Sequence, residues 1–249
     1  KTMADKSRQE GSKITLVDTT GFIDGPVARI LKLHKIEMLR PQWILALQAE
    51  DEMEHLLSGY EKMGWQVMRL GCSKRVISRS QTERQKCRSE KYKAYFRGAK
   101  IVECSMHKVV FPACIIGTGQ RIHPPELPRD AGIHGMNHLY VEKCGNELLI
   151  MADRMDASIP FYKLKGYFGV TSVVFIERHG LKDLLVGLND NDNNTMGLGT
   201  INDFDPFAGK LTLFTPVYDF HMVATIRLGV LKLERGEKEY GKTRVIQYV

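Results

Sequence analysis

Between residues 14 and 70, apolar runs alternate with amphipathic stretches, and that alternation restricts the fold more than any other feature of the 249-residue chain. In "KITLVDTTGFIDGP" a β-branched run from Ile14 to Val17 ends in Asp18 and passes through Thr19, Thr20 and Gly21 into a Pro- and Gly-containing loop. A buried strand delivering a carboxylate to a sheet edge is expected there. Val27 to Leu39 follows, with apolar residues at Ile30, Leu31, Ile36 and Leu39, and Pro41 ends this helical stretch. "WILALQ", residues 43–48, reads as a second strand, Asp51 to Met63 as a second helix closed by Gly64, and "QVMRL" as a third strand. Strand, helix, strand, helix, strand predicts a parallel sheet with right-handed crossovers, whose ligands gather at the carboxyl ends of the strands. Asp18 lies at one such end.

A D-x-x-G at the end of an apolar strand suits a nucleoside triphosphate. The carboxylate holds Mg²⁺ directly or through water, and the glycine N–H approaches a terminal phosphate with no side chain in the way. Four residues are a weak motif, and a helix cap or turn former is the plainer reading of Asp18. No G-x-x-x-x-G-K-[ST] phosphate cradle occurs in the chain. "LQAED" follows the second strand at the edge where a base would lie, so Gln48 and Glu50 are candidates for base or ribose contact, the alternative being a loop that opens the next helix.

"RSQTERQKCRSEKYKAYFRG", residues 79–98, carries the charge. Ser80 and Glu83 stand in the S-x-x-E relation of a capping box, and neither Gly nor Pro occurs between Gln81 and Arg97, so a helix is expected over about that span. Arg84, Arg88, Lys91 and Tyr95 recur at spacings of four, three and four and share a face, while Arg79 sits just ahead of the N-terminus, where unpaired N–H groups favour an anion. Residues 73–100 hold ten Lys or Arg against two acids, a local +8 in a chain whose total is +7. Charge concentrated on one helix points to a phosphate-bearing ligand, against the alternative of a solvated basic helix. Lys91 and Lys93 are candidates for nucleic-acid backbone contact. Tyr92, Tyr95 and Phe96 fit packing against the sheet better than base stacking.

From about Ile101 the pattern changes to short alternating runs, "HLYVEK", "ELLIM", "SVVFIE", "DLLVGL", "KLTLFT" and "MVATIRLGVLKL", separated by Gly-, Asn- and Asp-rich turns. "NDNDNN" is the clearest hairpin signal. A mainly antiparallel β domain with one or two short helices is expected, with "RIHPPELPRD" (121–130) as loop or linker because of its prolines. At 43% apolar residues the chain can bury a full core, and two domains are expected, 1–100 and 101–249. No apolar run approaches the ~20 residues of a membrane span, and the first residues hold no signal-peptide core, so a soluble intracellular protein is expected. Five widely spaced cysteines with no C-x-x-C pair indicate neither a disulfide framework nor a cysteine zinc site, and read as buried or inert thiols. His134 and His138 are four apart, a weak metal-ligand spacing whose alternative is an ordinary loop pair.

Three segments carry a family resemblance: "LVDTTGFIDGPVARILKLHKIEMLRPQWILALQAEDEMEHLL", "SRSQTERQKCRSEKYKAYF" and "LLVGLNDNDNNTMGLGTINDFDPFAGKLTLFTPV" with "IRLGVLKL". Together they resemble the polynucleotide 5′-hydroxyl-kinases, RNA kinases related to the kinase subunit of the pre-mRNA cleavage and tRNA-splicing machinery and to the pre-rRNA-processing kinases. The shorter archaeal-type members are the most similar. The R-S-x-x-x-R-x-x-x-R segment and the G-L-x-D…G-L-G-x-I segment are its most specific parts. The resemblance implies a partial parallel sheet of the P-loop type, with the lid helix at 79–97, followed by a mainly antiparallel β (α+β) C-terminal domain. It implies a chain corresponding to the C-terminal part of such a kinase, whose Walker A half lies upstream as a missing partner. It further implies transfer of the γ-phosphoryl group of ATP or GTP, with Mg²⁺, to the 5′-hydroxyl of RNA or DNA, and RNA-processing proteins as partners, in a prokaryotic, archaeal cytoplasm. In its terms Arg79, Arg84 and Arg88 are the lid arginines; Asp18, Thr20 and Gly21 hold Mg²⁺ and the phosphates; Gln48 and Glu50 face the nucleotide; Lys91 and Lys93 face the nucleic acid. The residues alone leave a second reading open, a non-catalytic module that binds nucleic acid or a protein partner without chemistry.

Overall fold

A computed structural model describes residues 1–77, 80–112, 114–130, 132–154 and 159–242. The chain forms two compact units, residues 1–78 and 79–249.

In the first unit, helix α1 (Thr2–Gln9) precedes an irregular segment, then helix α2 (Gly25–Leu39), strand β1 (Ile44–Gln48), helix α3 (Glu54–Lys62) and strand β2 (Val67–Gly71). Pro26 starts α2, where a missing N–H costs nothing, and Arg40 ends it in the left-handed conformation (φ 46°) just before Pro41. β1 and β2 pair in parallel with Ile44 opposite Val67 and Gln48 opposite Gly71. One face of this pair is covered: Ile36, Ala46, Leu56, Leu57 and Tyr60 form a small buried core with Leu33, Ile44, Trp65 and Val67 against it. Leu45, Leu47 and Met68, on the other face, are exposed.

The expected first strand is absent. Residues 14–18 are irregular, with Ile14 79% and Leu16 81% exposed, so the parallel sheet has two strands rather than three. β-branched residues favour extended backbone, but a strand exists only where a neighbour accepts its N–H and C=O groups. None of the described residues forms a ladder with this run.

The second unit opens with the basic helix α4 (Gln81–Tyr95) and is otherwise β-rich. Strands β3 (Lys100–Ser105), β4 (Gln120–Ile122), β5 (Tyr140–Cys144), β6 (Glu147–Ala152), β7 (Ser172–Glu177), β8 (Leu184–Asn189), β9 (Thr195–Asp205), β10 (Lys210–Thr215), β11 (Thr225–Glu234) and β12 (Lys238–Lys242) form two sheets. One is antiparallel, in the order β12-β11-β8-β9-β10-β3. The other runs β4-β5-β6-β7 and is mixed, because β6 pairs in parallel with β7 across helix α5 (Phe161–Phe168).

That crossover explains "ELLIMA". Leu149 and Met151 point into the main core with Ile176, Leu184, Val186, Leu211 and Leu213, while Leu148 and Ile150 point into a second core with Val141, Ile159 and Leu164. A strand buried on both faces reads as a continuous apolar run rather than an alternating one. The hairpin expected at "NDNDNN" joins β8 and β9, with Asn193 at φ 62° and the Asp190 carboxylate accepting the Asn194 N–H at 2.8 Å. Within 121–130 most of the backbone is loop and 3₁₀ turn, with a short strand at its start.

Candidate functional site

Helix α4 is built as its sequence requires. The Ser80 hydroxyl accepts the Glu83 N–H (3.2 Å) and the Glu83 carboxylate accepts the Ser80 N–H (2.7 Å), closing the capping box. The Ser80 N–H foremost, and the Ser80 hydroxyl donating to Glu83 Oε2 at 2.9 Å after it, hold the Glu83 carboxyl below the usual carboxylate range. No residue of the helix is buried, so its position comes from contacts at its C-terminal end and along one face.

The contacts are specific. Tyr95 Oη accepts the Leu198 N–H at 2.6 Å, and Phe96 is buried in a near-parallel stack with Phe214, centroids 5.8 Å apart. Arg88 Nε lies 3.2 Å from Glu239 Oε2, whose side chain is only 12% exposed, and Lys93 Nζ lies 3.7 Å from Glu237. Gln85 Nε2 donates to the Glu239 carbonyl at 3.4 Å. Glycine makes room for the aromatic anchors. A Cβ on Gly197 would stand 2.6 Å from Tyr95 Oη and 2.7 Å from Val217 Cγ2, and one on Gly236 would stand 2.7 Å from the Phe96 ring. The G-L-G of the resembling segment therefore serves as the seat of the helix.

The expected basic face is thus divided. Arg88 and Tyr95 engage the β unit, while Arg84, Lys86 and Lys91 are exposed with no ion-pair partner among the described residues. Arg79 lies outside the described residues. The sequence assigns the helix to the first domain, whereas its packing contacts are with strands of the second unit.

Asp18, Thr20, Gly21, Gln48 and Glu50 lie in the first unit. Asp18 is exposed within the irregular segment between α1 and α2. The loop after it is held by Lys32 from α2, whose Nζ donates to Thr19 Oγ1 at 2.8 Å and to the Thr20 carbonyl. Desolvation, with Lys35 nearby, lowers the Lys32 pKa, and the Asp18 charge opposes that shift. Gln48 is buried and occupied: its Nε2 donates to Glu54 Oε1 (2.8 Å) and its Oε1 accepts the Met53 N–H (3.3 Å). The Glu50 side chain is exposed, and the loop around it is shaped by Glu52, which accepts the N–H groups of Ala49 and Glu50 at 2.8 and 2.9 Å. Arg69 clamps α3 to β2 through Glu54 and Glu61, at 2.8 and 2.6 Å. The Arg69 guanidinium foremost, and the Gln48 amide after it, bring the Glu54 carboxyl down to about 2.

No group of three or more His, Cys, Asp or Glu suited to a metal ion occurs among the described residues. His134 bonds the Pro128 carbonyl (2.8 Å) and His138 bonds Asp153 (2.8 Å), so the two do not converge. No disulfide joins the five cysteines; burial pushes the Cys104 and Cys114 thiols up to about 11, whereas Cys72 is exposed.

Residues 1–98 match the family described as the mRNA cleavage and polyadenylation factor CLP1 P-loop. The chain is 30% identical over 230 residues to a polyribonucleotide 5′-hydroxyl-kinase of Pyrococcus abyssi, covering 92% of this chain and 62% of that protein. It is 29% identical over 242 residues to one of Methanocaldococcus jannaschii, covering 94% and 63%. The chain is a homologue of the polyribonucleotide 5′-hydroxyl-kinases. It spans about three fifths of the length of the curated relatives it matches.

The family match ends at residue 98, two residues beyond Phe96, and so includes the helix that packs on the β unit. Two features of the chain escape sequence reasoning. Lys32 orders the D-T-T-G loop, and its only sequence signal is a lone lysine inside the apolar stretch "ARILKL". Glu52 shapes the loop after β1, and nothing in the sequence distinguishes it from Glu50 or Asp51. No helix among the described residues is long and apolar enough to cross a membrane.

Proposed function

We propose that the chain serves in transfer of the γ-phosphoryl group of ATP or GTP to the 5′-hydroxyl of RNA or DNA, with Arg79, Arg84 and Arg88 as the arginines of the lid. The observation that carries this reading is Arg84: on a helix closed at its N-terminus by a capping box, it presents an exposed guanidinium with no carboxylate partner among the described residues. Phosphoryl transfer asks a protein mainly for positioning and for positive charge around the equatorial oxygens, and the planar fork of arginine binds phosphate through two bonds. Lys91 is placed to hold the nucleic-acid backbone, and Lys93 to do so after release from Glu237.

Asp18 fits a role as a single magnesium ligand, direct or through water, because that ion typically takes one or two carboxylates and completes its shell with phosphate oxygens and water. Bound there, magnesium supplies neutralising charge to the phosphates. Thr20 and Gly21 present backbone beside Asp18, in a loop that Lys32 holds. Glu50 is the better of the two candidates for ribose contact, since both polar groups of Gln48 are engaged within the protein.

A second reading, a binding module without chemistry, draws on the ion pairs of Arg88 and Lys93, which tie two basic residues to the β unit instead of leaving them for phosphate. Kinetics separate the two. In a kinase-active chain carrying this sequence, Arg84→Ala should lower kcat by on the order of 10³ with little change in KM, since charge aimed at the moving phosphoryl group acts in the transition state. Losses confined to KM would favour the binding module. Residues 1–249, which contain no Walker A loop, should give no labelled-phosphate incorporation into a 5′-hydroxyl oligoribonucleotide without such a loop supplied.

A further inference from the structure

Where α4 ends, the second unit carries an open cavity of about 440 Å³, lined by Tyr95, Met196, Pro216, Val217, Tyr218 and Asp219. Its volume falls within the range of roughly 300–1,000 Å³ typical of small-ligand pockets. Two tyrosines border it in different ways. Tyr95 is fixed, its hydroxyl oxygen held by the Leu198 N–H and its ring set edge-on to Phe96 at 5.1 Å. Tyr218 is 89% exposed, in the segment between β10 and β11, and makes no hydrogen bond or ring contact among the described residues. An aromatic ring left in water beside an open, mostly apolar depression provides a flat face with nothing stacked on it among the described residues.

The surrounding charge selects the occupant. Lys91 lies one helical turn before Tyr95, and Arg84 two turns before Lys91 on the same stripe, both exposed and without an ion-pair partner among the described residues, so a polyanion following α4 is led to the cavity. Among the lining residues the exposed Asp219 carboxylate disfavours a phosphate and can accept from an amino or hydroxyl group. We propose that this cavity takes an unpaired nucleobase of a single-stranded polynucleotide, with Tyr218 as the stacking platform, Tyr95 as the fixed wall and Lys91 on the adjoining phosphate. The subsite rests on the polynucleotide reading above and adds to it a contact made by the base rather than by the backbone. Stacking of this kind tolerates any base, because every base has a π-face.

The test uses the full 249-residue chain and two oligomers labelled at the 3′ end with fluorescein. One is a single-stranded oligonucleotide with a free 5′-hydroxyl, and the other has the same length and charge with abasic residues throughout; binding is followed by fluorescence polarisation. Tyr218→Ala should weaken binding of the base-bearing oligomer roughly tenfold and leave the abasic one unchanged. Tyr218→Phe should bind both as the unsubstituted chain does. Lys91→Ala should weaken both equally and lower the salt dependence by about one charge. The proposal is overturned if Tyr218→Ala binds the base-bearing oligomer normally, as a cavity made for an apolar peptide segment would predict, or if it loses both oligomers equally. Those results leave the polynucleotide reading standing. Binding of neither oligomer by the unsubstituted chain removes both.

Discussion

At the level of single residues, the glycines of "TMGLGTI" and the aromatic pair at the end of α4 depend on one another. Tyr95 reaches Leu198 only because Gly197 has no side chain, and Phe96 lies against Gly236 for the same reason. Gly197→Ala should therefore cost about 1–3 kcal/mol through overpacking, read as a lowered midpoint of denaturant unfolding of the second unit. Because the seat belongs to the helix, limited proteolysis of that variant should also cut residues 81–97 faster. A lowered midpoint with unchanged protection of the helix would show that Gly197 matters to the sheet alone. Sequence reasoning found the residue pattern, and it read Tyr95 as a packing residue, but no local signal links two segments about a hundred residues apart.

Among the secondary-structure elements, two clamps of opposite purpose use the same chemistry. In the first unit, Arg69 of β2 holds Glu54 and Glu61 of α3. Glu54 has its carboxyl at about 2 in the folded state against an ordinary 4.5. Its lowered pKa means that the stabilisation is fully present above about pH 4.5 and is lost as the pH falls from there toward 2. Circular dichroism during acid titration should show that loss, and Arg69→Met, which removes the guanidinium, should flatten the dependence over that window. In the second unit, Glu239 of β12 holds Arg88 of α4, which is 47% exposed. Glu239 is only 12% exposed, but with the Arg88 guanidinium half in water the pair contributes on the order of 1 kcal/mol, so its effect on the helix is mainly to withhold one charge from a ligand. Glu239→Gln should barely change stability, and should steepen the salt dependence of oligonucleotide binding by about one charge. An unchanged slope would place Arg88 outside the polyanion path.

For the molecule as a whole, the first unit leaves an apolar face open. Leu45, Leu47 (65% exposed) and Met68 lie on the uncovered side of the two-stranded sheet, and Ile14 and Leu16 are exposed beside α1 and α2 in sequence. Apolar area grouped in this way promotes association. Residues 1–249 in isolation should self-associate with rising concentration, as measured by light scattering after gel filtration. Leu47→Lys should reduce that association without lowering stability, because the side chain is already in water. A monodisperse monomer that binds no hydrophobic dye would contradict the open face.

Several elements were determined by the sequence alone. The S-x-x-E box places the start of α4 within the local backbone, the Asx-rich turn closes the β8–β9 hairpin, and α2 and α3 stop before Pro41 and Gly64, all through interactions between residues close in sequence. The α/β beginning and the β-rich remainder followed from hydrophobic period in the same way. What depended on partners distant in sequence was decided only by the tertiary structure. Ile14 to Val17 has the composition of a strand but no ladder to join among the described residues, and "ELLIMA" is buried on both faces because α5 carries the chain over to a parallel β7. The division of the basic helix, with Arg88 and Lys93 held by carboxylates about 150 residues later in the chain and Arg84 and Lys91 left open, has the same origin. Charge pattern states how many cations a helix carries, and only the fold determines which of them already have an anion.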